Sequence, residues 1–318
     1  MADVTPQPSP PSGRVVYDRI LVPLDGSDEA EAALRYAALL PARELVLLHV
    51  EHEDEIFVPE WIFDEDADPD VHTVRAELDQ LAARLRAEGR AVEVVTEIGD
   101  VAEQIISSAL NTDLIVMATH GRGAAGRLLF GSVADRVVRH GMTPTLLLRA
   151  GAHTKAPRLP RRVVVTLDGS EEAEQALPQA ERLARAIGIP ILLLRAVGFD
   201  EVRVTLRRKR KPGEPPFVQS PDLYEQARIE TVEEATRYLD AVAGRLRSEG
   251  LEVDRKVVEG APAFCLMWEM GEDDIAVVTT HGTSGYKRWS IGSVAEKLVR
   301  EAPCPVLLQR IPQEARRG

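Results

Sequence analysis

Cysteine is nearly absent from this chain. Only Cys265 and Cys304 occur in 318 residues, far apart and without metal-ligand spacing. That pattern argues for a reduced, cytoplasmic protein in which each thiol is a small buried hydrophobe. A surplus of positive charge is absent as well: 39 Lys and Arg stand against 51 Asp and Glu, a formal charge of −12. A general nucleic-acid binder needs a clustered basic surface, so that class is set aside. The one dense basic run, "RRKRK" from Arg207 to Lys211, stands beside "PGEPP" and reads as a solvated loop or a partner contact. No apolar stretch is long enough to span a bilayer. The opening "MADVTPQPSPPSGR" lacks the apolar core of a secretory signal, so residues 1–14 are expected to be a Pro/Ser-rich tail.

What is present is one unit written twice. "YDRILVPLDGSDEAEAAL" (Tyr17 to Leu34) answers "PRRVVVTLDGSEEAEQAL" (Pro160 to Leu177), and "THGRGAAGRLLFGSVADRVVRH" answers "THGTSGYKRWSIGSVAEKLVRE". The displacement is 143 residues at Asp25 and Asp168 but 161 at His120 and His281, so the second unit carries an 18-residue surplus after its second strand. The expected organisation is residues 15–150, a linker at 151–161, residues 162–311, and a tail at 312–318. Within each unit, short apolar runs such as "RILVPL", "ELVLLHV" and "DLIVMA" alternate with amphipathic stretches. A helix is expected over "VRAELDQLAARLRAEG" from Val74, where Leu78, Leu81, Ala82 and Leu85 have helical spacing and Gly89 marks the stop. Further helices are expected from about Val101 to Ala109 and from Ser132. Ser27 can cap a helix whose first turn holds Asp28 and Glu29. Strand–helix alternation with continuous apolar strands predicts an α/β fold of two tandem, doubly wound, five-stranded parallel sheets, flavodoxin-like or Rossmann-like.

Ligands of such sheets bind beyond the carboxyl ends of the strands, where the strand order reverses. Asp25 ends the first strand and Thr119-His120-Gly121 ends the fourth. Gly131-Ser132 then opens a helix whose first N–H groups lack partners, which is a ready site for phosphate. Ser132 offers a cap and a hydroxyl, Gly121, Gly123 and Gly126 let the loop wrap oxygens, and Arg122 and Arg127 add positive charge. Asp25, at the other end of the crevice, suits a ribose hydroxyl or an adenine amine. Taken alone, Asp-Gly-Ser also reads as a turn and cap. His120 and His281 lack a second ligand at metal spacing and read as loop residues. The joint recurrence of all three motifs favours a nucleotide.

At these residues the chain resembles the universal stress protein family in its tandem form, over about Val15 to Arg149 and Arg162 to Arg310. The family's nucleotide-binding motif is Gly, two residues, Gly, nine residues, Gly-Ser. Gly121 with Gly131-Ser132, and Gly282 with Gly292-Ser293, match it; Ala118 and Thr279 stand where the first glycine belongs. The resemblance implies ATP (or ADP or AMP), with magnesium held through its phosphates, bound more tightly in the first unit because Thr279 is β-branched. Carried over by position, the first site comprises Pro23, Leu24, Asp25, Val50, Met117, Ala118, Gly121, Arg122, Arg127, Gly131, Ser132 and Val133. The second comprises Thr166, Leu167, Asp168, Ala196, Val278, Thr279, Gly282, Lys287, Arg288, Gly292, Ser293 and Val294.

The resemblance also implies pairing through the last strands, "PTLLLR" (Pro144 to Arg149) against "PVLLQR" (Pro305 to Arg310), an internal pseudo-dimer that hides two apolar edges and leaves room for a homodimer. The implied role is a stress-response sensor or regulator. A nucleotide-free interaction protein is the rival, since the first glycines are missing. A hydrolase finds no carboxylate cluster or obvious water-activating base, so turnover should be slow at most. After the second strand the first unit carries an acidic, aromatic insertion ("EHEDEIFVPEWIFDEDADPD") and the second a basic one. These either meet between protomers, cover the sites, or are unrelated solvated loops.

Overall fold

The β-branched runs become strands and the periodic stretches become helices. The computed structural model describes residues 16–51, 70–119, 131–149, 157–209, 221–280 and 291–311. The first unit comprises β1 (Tyr17–Pro23), α1 (Asp28–Ala37), β2 (Ala42–Glu51), α2 (Asp70–Ala87), β3 (Ala91–Ile98), α3 (Val101–Ser108), β4 (Leu114–Ala118), α4 (Ser132–His140) and β5 (Thr145–Leu148). The second comprises β6 (Arg162–Thr166), α5 (Glu171–Glu174), α6 (Leu177–Ile187), β7 (Ile191–Val197), α7 (Phe199–Lys209), α8 (Pro221–Ser248), β8 (Val253–Glu259), α9 (Pro262–Trp268), β9 (Asp274–Thr279), α10 (Ser293–Glu301) and β10 (Val306–Gln309).

All ten strands join one sheet in the order β3-β2-β1-β4-β5-β10-β9-β6-β7-β8. Each half is parallel and places its first strand between its second and fourth. This is the Rossmann order; the flavodoxin alternative, in which the first strand lies between the second and third, is not the one adopted. The halves meet antiparallel, with Val306 opposite Leu147 and Leu307 opposite Leu146. The expected pairing of the last strands is therefore present, and two five-stranded sheets are continuous.

Side chains alternate across this junction, so both core layers run through it. Leu146, Leu148 and Leu307 join the layer beneath α1, α2, α6 and α8. Leu147, Val306 and Leu308 join the layer beneath α3, α4, α9 and α10. Full burial of each such side chain contributes about 1.5–3 kcal/mol. Two arginines seal the seam reciprocally: Arg149 donates to Glu301 O at the end of α10 (3.4 Å), and Arg310 donates to Gly141 O just past α4 (3.0 Å). Each cation sits at the negative end of the other half's helix.

Three expectations need correction. Arg207, Arg208 and Lys209 complete α7 instead of lying in a loop, because α7 packs on α8 through Val202, Ala227 and the Thr231–Thr205 hydroxyl bond of 2.9 Å. Cys304 is buried, but Cys265 is only partly so, with its thiol donating to Glu259 O at 3.3 Å. The helix expected from Val74 begins earlier, at Asp70. The acidic insertion (residues 52–69), Arg210 and Lys211 lie outside the described residues. Among those described, no helix is long and apolar enough to cross a membrane.

Candidate functional site

The Asp-Gly-Ser turn is built identically in both halves. Asp25 Oδ1 accepts from the Ser27 N–H (3.0 Å) and the Ser27 hydroxyl (2.5 Å), and Ser27 Oγ accepts from the Ala30 N–H (3.2 Å). Asp168, Ser170 and Ala173 repeat this at 3.0, 2.5 and 3.1 Å. Gly26 and Gly169 have φ of 73° and 89°, a left-handed conformation that favours glycine. The turn-and-cap role is thus realised in both units, and the question becomes what else the turn faces.

Strand adjacency answers it. β1 pairs directly with β4, Ile20 opposite Leu114, and β6 with β9, Val163 opposite Ile275. Asp25 and Thr119 therefore leave the same carboxyl edge on neighbouring strands, at the point where the chain stops adding strands on one side and starts on the other. The helix mouth is tied to that point. The Gly131 N–H donates to Thr119 O at 2.6 Å, and the Gly292 N–H to Thr280 O at 2.6 Å. Gly131 and Gly292 are themselves the N-caps of α4 and α10, and neither helix has a side-chain cap bond. This corrects the cap assigned to Ser132: Ser132 and Ser293 are the first helical residues, exposed, and the cap has no side chain. Among the described residues no side chain caps the amides of the opening turn, which leaves them open to an external acceptor.

The remaining nominated residues divide between layers. Val50, Met117 and Val133 pack in one layer, as do Ala196, Val278 and Val294 in the second half. Leu24 and Leu167 are buried in the opposite layer, so their side chains do not join Val50 and Met117 or Ala196 and Val278. Pro23 and Thr166 are the partly exposed strand ends beside them. Ala118 ends β4 opposite Leu148, and Thr279 ends β9 opposite Gln309. Gly121, Arg122, Arg127, Gly282, Lys287 and Arg288, with His120 and His281, lie outside the described residues. Among those described, no group of three His, Cys, Asp or Glu could hold a metal ion.

Two features escaped the sequence reading. The residue before Val50 and Ala196 differs between halves and points to the other face, against the aspartate turn. His49 donates from Nδ1 to Leu24 O at 2.9 Å. Its counterpart Arg195 lies against Gly169, where an added Cβ would meet Nη1 at 2.9 Å. Arg195 also pairs with Glu201 at 3.2 Å and sits 5.3 Å from the centre of the Tyr238 ring. Burial, then Glu174, pushes the Tyr238 hydroxyl above its usual range, although the nearby Arg195 opposes this. The second feature is an ion pair that anchors α4 to α3: Arg136 donates to Asp100 at 2.5 Å and holds that carboxyl below the usual range. Ala261 and Lys297 replace the pair in the second half. Only the repeat alignment, read residue by residue, could have flagged either difference.

Comparison with known proteins agrees with this architecture. The sequence model of the Universal stress protein family matches twice, over residues 16–149 and 160–310. A universal stress protein of Mycolicibacterium smegmatis is 28% identical over 310 residues, covering 92% of this chain and 96% of its own. One from Mycobacterium tuberculosis is 24% identical over 303 residues, with the same coverage. The crystal structure of a universal stress protein from Archaeoglobus fulgidus superposes with a TM-score of 0.64 at 20% identity, covering 93% of this chain and 97% of that one, which is a likeness of fold. With its motif pair duplicated on a Rossmann-ordered sheet and the family model matched across both halves, the chain belongs to the universal stress protein family as a tandem member.

Proposed function

We propose that each half holds an adenine nucleotide in the crevice between its first and fourth strands, and that the protein is a cytoplasmic, nucleotide-responsive stress regulator. The observation that carries this reading is the placement of the aspartate turn and an uncapped helix mouth at one carboxyl edge, twice. The mouth fits a phosphate: backbone amides of Ser132 and Val133 lie in the first turn, the Ser132 hydroxyl is exposed, and the cap adds no competing side chain. Arg122 and Arg127 in the first half, and Lys287 and Arg288 in the second, would neutralise phosphate oxygens. Asp25 and Asp168 would receive the ribose or the adenine amine, beside Pro23, Val50 and Met117 or Thr166, Ala196 and Val278. Magnesium, when bound, would screen phosphate charge and be held through the phosphates. The first half binds more tightly, because Thr279 puts a branched side chain where Ala118 adds only a methyl. Calorimetry with ATP, ADP and AMP plus magnesium tests the proposal: saturable heat at one or two sites is expected, and none with any of the three refutes it.

One observation favours a second reading, a nucleotide-free interaction protein. Both aspartates already serve their own turns, so the Asp-Gly-Ser motif is accounted for without a ligand. Acid extraction of freshly purified protein separates the two readings, since copurified adenine nucleotide excludes the second.

A further inference from the structure

The insertions that follow β2 and β7 have no part in the nucleotide reading. In the second half, α7 packs on α8 through Val202 and the Thr205–Thr231 hydroxyl pair, and its other side faces outward. That outward side exposes Phe199 (62%) and Val204 (44%), next to Leu223 (44%) at the start of α8. The Phe199 ring lies 5.9 Å from the Tyr224 ring, with the Arg203 guanidinium 5.8 Å above Phe199. Both acids at the start of α7 are engaged, Asp200 with Arg203 (3.8 Å) and Glu201 with Arg195 (3.2 Å). Arg207 and Arg208 are exposed, and among the described residues neither has an ion-pair partner. The result is an apolar, aromatic patch running into a basic end, which the sequence continues with Arg210 and Lys211.

The chain carries a segment of complementary chemistry. Residues 52–69 hold eight Asp and Glu, no Lys or Arg, and the apolar residues Ile56, Phe57, Val58, Trp61, Ile62 and Phe63. Acidic groups flank an aromatic centre, as the patch requires. Within one molecule the two cannot meet. β2 and β7 are seven strand steps apart in the sheet, about 34 Å at the usual strand spacing. The segment is anchored at Glu51 and Asp70, so its tip reaches at most about 30 Å even when fully extended, before any residue lies down on the patch. Docking of this segment on the basic end of α7 therefore takes place between two molecules.

We propose that residues 52–69 of a second copy of this chain dock on the α7–α8 surface, the two chains exchanging their insertions about a two-fold axis. Such an isologous exchange makes the contact twice and leaves the β5–β10 seam untouched. Rim charges of this kind steer association and are screened by salt.

Sedimentation of the full chain at 50 mM and 500 mM NaCl tests this. A dimer is expected whose dissociation constant rises at least tenfold at high salt, as is a monomer for the Arg207→Glu/Arg208→Glu variant with an unchanged melting curve. Replacing Asp64, Glu65 and Asp66 with Lys should also give a monomer alone. Mixed with the Arg207→Glu/Arg208→Glu variant, it should form heterodimers, because each of the two contacts then again pairs opposite charges. A synthetic peptide of residues 51–70, followed by its Trp61 fluorescence, should bind the wild-type chain and dissociate the dimer. A monomer at both salts overturns the proposal, as does a dimer indifferent to the charge reversals. Preference of the patch for an oligonucleotide or anionic vesicles over the peptide overturns it as well.

Discussion

Replacing Gly131 with Asp separates the proposed phosphate role of the α4 mouth from its structural role. The cap lies at φ −52° and ψ 148°, a region open to any L-residue. Aspartate is among the preferred caps, and its carboxylate would accept from the amides of Val133 and Ala134. Helix stability should hold or rise by a few tenths of a kcal/mol relative to glycine. A phosphate loses those amides and meets a negative charge about 5 Å away. At an effective dielectric constant of 20 that repulsion is about 3 kcal/mol per phosphate charge. Physiological salt lowers it to about 2 kcal/mol, or roughly thirtyfold in affinity. Gly131→Asn supplies the same cap without the charge, so the Asp–Asn difference isolates the electrostatics and should shrink as salt is raised. Calorimetry with magnesium ATP, run beside thermal melts, reads both effects. A folded Gly131→Asp/Gly292→Asp chain that keeps ATP affinity within threefold of wild type would refute the assignment of the helix mouths to phosphate.

Two further outcomes concern the frame that holds the sites. Arg162 grips Asp274 with two bonds (3.1 and 2.6 Å), and the Asp274 side chain is 1% exposed. Arg162→Ala leaves that carboxylate buried without its cation and should cost about 3–5 kcal/mol, lowering the melting temperature by roughly 6–15 °C; an Arg162→Ala/Asp274→Ala double variant should recover part of the loss. Burial, then Asp274, pushes the Cys304 thiol up to about 12. Native protein at pH 8 should thus show one thiol to a disulfide reagent, Cys265, and two when denatured. Because the folded value is raised above the unfolded one, the stability contributed by the neutral thiol is full below about pH 9 and is lost as pH rises toward 12. Cys304→Ala should flatten the alkaline arm of the stability profile by up to about 1.4 kcal/mol per pH unit.

Much of the fold was legible because its signals are local. Ser27 as a cap, helical spacing from Leu78 to Leu85, and β-branched strand runs each depend on a few neighbouring residues. The repeat then supplied what locality could not, since two copies of Asp-Gly-Ser and Gly-Ser-Val-Ala marked both crevices. The basic run was read as a loop from the neighbouring "PGEPP", and the preceding "EVRVTL" gave no helical signal, since β-branched residues are weak helix formers. Packing on α8 overrode that preference through Val202 and Thr205. Ser132 was taken for the cap on residue type, whereas Gly131 is the cap and Ser132 the first helical residue.

By itself the sequence determined the elements, their alternation, the duplicated motifs and the family, because periodicity, capping and spacing are properties of short stretches of chain. Tertiary structure alone decided that β1 lies against β4, that Leu24 turns to one layer while Val50 and Met117 face the other, and that Arg195 lies against the second aspartate turn but not the first. Those outcomes depend on which residues distant in sequence share a surface, and that is set only when sheet register and helix packing bury both apolar layers at once.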